Sequence, residues 1–118
     1  MYGLPDDFDC NYYVGKEVLQ ICIGSYYVQI HLENNICFGL WDCFIHSKNG
    51  VDLSREASLP VRACTLVSLL KSKVVQVIRK SSEELIIMFD NQEKLVITDN
   101  DDCYESFSIT YPGFNLAV

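Results

Sequence analysis

A chain of 118 residues holds one domain, and a composition of 49% hydrophobic and 21% charged residues belongs to a folded protein rather than a disordered one. Sixteen Asp and Glu against nine Lys and Arg leave a net charge of −7. That balance argues against nucleic acid and anionic membrane as partners, since both require a basic face.

The excess charge is local. Asp6, Asp7 and Asp9 supply three of the surplus carboxylates, and Asp99, Asp101, Asp102 and Glu105 supply the other four. The rest of the chain is neutral. The opening Met1–Asp7 has neither a basic start nor an apolar run, so no export signal is read there. No stretch approaches the roughly 18 apolar residues of a spanning helix. A cytoplasmic protein is expected. The six cysteines, Cys10, Cys22, Cys37, Cys43, Cys64 and Cys103, contain no C-x-x-C pair and are expected to be reduced thiols.

In chain order, the first unit spans 17–42 as a three-strand meander. Val28, Ile30 and Leu32 alternate with Gln29, His31 and Glu33, and Ile36, Phe38 and Leu40 form the next apolar set. A three-residue loop, Glu33-Asn34-Asn35, pairs Leu32 with Ile36, Ile30 with Phe38 and Val28 with Leu40, which makes one face wholly apolar. A two-residue loop would split the two sets between opposite faces. Asn35 suits the left-handed conformation that such a loop asks for. The polar segment 47–57, with Asn49-Gly50, reads as a loop. A helix is expected over 58–70, capped by Ser58, with Pro60 in its first turn and Leu59, Ala63, Leu66, Val67 and Leu70 on one face.

The meander then recurs over 73–99. Val18 matches Val74 and Gln20 matches Gln76. After a one-residue insertion, Ile30 matches Ile87, Asn34 matches Asn91 and Asp42 matches Asp99. A loop at Asp90-Asn91-Gln92 pairs Ile87 with Leu95 and Leu85 with Ile97. A final strand is expected over 106–111, stopped by Pro112-Gly113. The order is β-β-β-α-β-β-β-β, an antiparallel α+β fold in one domain. A helix packed on one curved sheet and two small sheets packed together both satisfy it.

Catalytic motifs are absent: there is no G-x-S-x-G, Walker or dinucleotide glycine pattern. A Cys–His pair exists on paper, because the three-residue register sets His31 opposite Cys37. It lacks an orienting third group, and an ordinary surface role is preferred. The run Asp99–Glu105 is rich in oxygen ligands, yet it has Tyr104 and Thr110 where a calcium loop requires Gly and Glu. No cofactor, no metal and no enzyme activity are expected. The binding candidates are the acidic residues Asp6, Asp7, Asp99, Asp101 and Asp102, together with Tyr27 and Trp41. The last two are opposed in the three-residue register and are residue types that anchor interfaces. The competing reading covers that face with the helix or a tail.

Four blocks carry a family resemblance: Leu4-Pro5-x-x-Phe8; Val14-Gly15-Lys16-Glu17-x-x-Gln20-x-Cys22-Ile23-Gly24-x-Tyr26-x-Val28-Gln29; the expected central helix; and Tyr104-Glu105-Ser106-Phe107-x-Ile109-x-x-Pro112-Gly113. Through them the chain resembles a family of small bacterial proteins found among the immunity proteins of polymorphic and contact-dependent growth inhibition toxin systems. The resemblance implies a cytoplasmic binder of a cognate toxin and no catalytic residues. A small acidic domain of this kind would block a basic nuclease by presenting carboxylates where the enzyme expects phosphates. A non-catalytic interaction or regulatory module without a toxin partner is the alternative.

Overall fold

The computed structural model describes residues 4, 8–24, 27–40, 44–53, 63–98, 107–111 and 114–117. Ten strands run through them: β1 (Val18–Ile23), β2 (Val28–Leu32), β3 (Cys37–Leu40), β4 (Phe44–Lys48), β5 (Val51–Asp52), β6 (Val74–Ser81), β7 (Glu84–Phe89), β8 (Glu93–Thr98), β9 (Phe107–Tyr111) and β10 (Phe114–Ala117). They form two antiparallel five-stranded sheets, ordered β1-β2-β3-β9-β10 and β5-β4-β8-β7-β6. The inner faces of both meet in one apolar core that includes Val28, Ile30, Phe38 and Leu40 from the first sheet and Leu85, Ile87, Leu95 and Ile97 from the second.

The three-residue registers are those expected. Val28 pairs with Leu40, Ile30 with Phe38 and His31 with Cys37. Leu85 pairs with Ile97 and Ile87 with Leu95. Asn34 and Asn35 are left-handed at φ 62° and 60°, and Gln92 closes the second loop at φ 73°. Alternation sets the register here, because a one-residue slip would turn every apolar side chain to the outer face.

Three expectations are corrected, the first of them the strand order: seven strands ending at 106–111 were expected and ten are found, because Phe44–Lys48, Val51–Asp52 and Phe114–Ala117 are strands as well. The central helix, over its described part Ala63–Leu69, is a 3-10 helix. At three residues per turn, Leu66 and Leu69 fall on one line and are fully buried. Val67 and Leu70, assigned to the buried face of an α-helix, are exposed instead. Residues 58–62 lie outside the described part. The fold is therefore β-rich, with a 3-10 segment where an α-helix was expected. The presumed loop 47–57 begins as a hairpin: β4 turns into β5 through Asn49 and Gly50, both at positive φ (53° and 81°). That is the type I′ geometry that Asn-Gly favours.

The repeat extends far beyond the matched residues. Val18 N–H donates to Ser72 O, and Val74 N–H donates to Lys16 O; Gly15 N–H donates to Val74 O, and Lys71 N–H donates to Val18 O. Each bond has its twin 56 residues on, and the equivalent residues Glu17 and Lys73 face each other in an antiparallel bridge. Reciprocal contact between equivalent positions is what a twofold axis produces. The Glu33 carboxylate accepts from Glu17 N–H as the Asp90 carboxylate accepts from Lys73 N–H. Bulges recur at Val18/Gln20 and Val74/Gln76. Each half is a meander followed by a hairpin, and each hairpin completes the other half's sheet: β9 pairs with β3, and β4 pairs with β8.

Candidate functional site

Of the binding candidates, Asp6, Asp7, Trp41, Asp99, Asp101 and Asp102 lie outside the described residues. Tyr27 is described. It sits at the β1–β2 turn, where Gly24 N–H donates to its carbonyl at 2.8 Å, and its side chain is 45% exposed. No described segment covers it. A Cβ at Gly24 would come within 3.2 Å of the Tyr27 ring and 3.3 Å of its carbonyl oxygen, so the missing side chain at Gly24 leaves the ring its place.

His31 and Cys37 are neighbours in register, as expected. His31 Nε2 pairs with Gln29 Oε1 at 3.2 Å. Burial, and then the nearby Cys22, push the Cys37 thiol above its usual range, whereas a reactive thiol needs the opposite shift. Cys10, Cys22, Cys37 and Cys64 are not in disulfides; Cys43 and Cys103 lie outside the described residues. Among the described residues no cluster of His, Cys, Asp and Glu is arranged to hold a metal, and no helix is long and apolar enough to cross a membrane. The acidic run 99–105 is outside them.

The structure adds a cluster that sequence reasoning missed. His46 and Glu93 are buried at 0% and 2% exposure, and His46 Nε2 bonds Glu93 Oε1. His46 Nδ1 pairs with Thr65 Oγ1 at 2.9 Å. Ser68 Oγ donates to Glu93 Oε1 at 2.5 Å, and Asn91 Nδ2 donates to Glu93 Oε2 and, at 3.1 Å, to Ser68 O. The two side chains are 0% and 1% exposed, and Glu93 also contributes to the lining of a groove beside β4 and β8. The pair fastens the 3-10 segment, through Thr65 and Ser68, to β4 and β8. The signal lay in the sequence: Glu93 stands in phase with Leu95 and Ile97, and His46 with Phe44, on what should be an apolar face.

The outer faces of the two sheets differ in kind. Across the second, Ile78, Ile86, Val96 and Ile45 stand opposite one another on β6, β7, β8 and β4. Ile45 and Ile78 are 49% and 38% exposed; Val75, at the β6 bulge, is 50% exposed, and so is its twin on the first sheet, Leu19, at 56%. A shallow groove of about 530 Å³ adjoins the row, with Ser47, Val75, Met88 and Lys94 in its lining and the Asn49-Gly50 turn on its rim. The equivalent row on the first sheet is Cys22, Gln29, Gly39 and Ser108. Comparison with protein-family models, with curated proteins and with solved structures finds no match to this chain.

Proposed function

We propose that this chain is a non-catalytic binding protein of the immunity type, which neutralises a cognate bacterial toxin in the cytoplasm. The observation that carries the binding role is the unequal treatment of two equivalent sheet faces. Both sheets have the same strand order and register, so the fold makes the same demand on each outer face. In its central cross-strand row one answers with small and polar residues, flanked by an exposed Tyr27 and Leu19, the other with an aliphatic row. Exposed tyrosine and contiguous aliphatic surface are what protein interfaces use. The toxin as partner rests on the family resemblance and on the acidic segments 6–9 and 99–105. A basic toxin domain would meet those carboxylates, and the encounter would be fast and salt-sensitive.

The test is a binding titration against the toxin domain encoded beside this chain, in low salt. A complex at micromolar concentration supports the reading, and so does slower association of Asp101→Asn/Asp102→Asn at unchanged stability. Absence of a complex sinks the toxin reading and leaves an interaction module with some other partner.

A further inference from the structure

We propose that the outer face of the second sheet is a self-association surface, occupied by the same face of a second copy of this chain. The centre of that face is the row Ile78–Ile86–Val96–Ile45, one aliphatic residue per strand across four strands. At a strand spacing of about 4.8 Å the row runs for about 14 Å. Rows of this kind pack best against another sheet whose strands lie close to parallel with their own, because the side chains then interdigitate row on row.

The flanking charges select a copy of the chain over a partner of one sign. On one side of the row stand Asp52, Ser47, Lys94 and Met88; on the other stand Thr98 and Glu84, with Lys80 3.5 Å from the Glu84 carboxylate. Each flank carries both signs, so a strongly basic or strongly acidic partner meets a like charge on either side. A second copy turned about an axis running along the aliphatic row lays one flank on the other. Lys94 of one copy then comes beside Glu84 of the next, while each aliphatic residue meets its own counterpart. An isologous contact asks for this self-complementarity.

Area sets the strength. The face, four strands of five to eight residues with the two-residue β5 at its edge, spans at most roughly 20 Å by 20 Å, about half of the ~800 Å² per partner of a standard interface. The dimer is therefore weak and reversible. It leaves the opposite side of the sandwich, with Tyr27, open to a further partner.

The experiment is sedimentation velocity on the purified chain from about 1 µM to about 500 µM, a range chosen for a contact of this size. The weight-average mass should rise from one chain toward two. Ile78→Asp and Ile45→Asp, both at exposed positions, should keep the monomeric mass throughout while their melting curves stay near wild type. Lys94→Glu and Glu84→Lys should each weaken association about tenfold, and the double exchange should restore it. A wild-type chain that stays monomeric overturns the proposal. So does a dimer indifferent to Ile78→Asp, and so does a double exchange that fails to recover. If the wild type is monomeric but Ile78→Asp abolishes toxin binding, the face belongs to the toxin and the dimer is again overturned. The toxin titration uses dilute protein, below the range of self-association, so its outcome is read separately.

Discussion

The two halves of this protein offer an internal comparison in which the backbone is nearly held constant. In the first half the 3-10 turn Cys10–Tyr13 is anchored by aromatic packing. The Tyr13 ring stacks on Phe8 at 5.8 Å and tilts against Phe38 at 5.5 Å. Behind it, Ile36 and Ile109 are buried. In the second half the equivalents of Ile36 and Ile109 are Glu93 and His46, and the equivalents of Asp9 and Tyr12 are Thr65 and Ser68. The same architecture is thus closed once by hydrocarbon and once by hydrogen bonds. Neither solution is required by the fold. The polar one is directional, and it is costly if half of it is lost.

That comparison can be broken most severely at the exchanged hairpins. Removing 107–117 strips β9 from β3 and bares the edge at Phe38 and Leu40. Circular dichroism should then show no cooperative melt, because each half needs the other's hairpin to close its sheet. A truncated chain that still melts cooperatively would refute the interlocked description.

The polar cluster comes next. His46→Ala leaves the Glu93 carboxylate buried beside Ser68 and Asn91 without its imidazole, and should cost about 3–5 kcal/mol in denaturant titration. Glu93→Ala should cost a similar amount. Transplanting the first half's solution, His46→Ile with Glu93→Ile, should be more stable than either single variant. If the double variant is the sum of two large losses, the apolar and polar closures are not interchangeable.

A smaller effect is expected at the twin positions Gly15 and Lys71, both left-handed at φ 86° and 72°. No atom lies within 4 Å of a Cβ built on Gly15, so Gly15→Ala tests strain alone and should cost about 1 kcal/mol. Lys71→Gly should move stability the other way by less than that, since glycine also loosens the unfolded chain.

The smallest effect is at Cys37. Burial and Cys22 hold its thiol protonated to higher pH than in the unfolded chain. Its contribution to stability is therefore complete below the ordinary thiol range and is lost as pH rises through the folded value. Peptide mapping after brief alkylation at mildly alkaline pH should find the exposed Cys64 modified before Cys37. Equal rates would mean that the β3 thiol is more open than its setting implies.

Much of this was legible in local pattern. Alternation of Val28, Ile30 and Leu32 against Ile36, Phe38 and Leu40 fixed one register, and the second meander repeated the argument. Asn35 was readable as left-handed. Asn49-Gly50 carried a hairpin signal that the polarity around it obscured, since β5 is two residues long and both are exposed. The 3-10 segment defeated helical periodicity because Leu66 and Leu69 satisfy a period of three and of 3.6 alike. Tyr27 is exposed, one of the two outcomes its position allowed, while the aliphatic row escaped notice because each of its members comes from a different strand.

The sequence by itself determined the meanders, their registers and their turns, because those depend on neighbours within one hairpin and on which residues tolerate positive φ. Only the tertiary structure decided which sheet each hairpin joins, and with it the meeting of His46 with Glu93 and of four aliphatic residues on one outer face. Pairings across dozens of residues leave no trace in local periodicity. They are selected by which edges remain open and which apolar faces remain unburied once the meanders have formed.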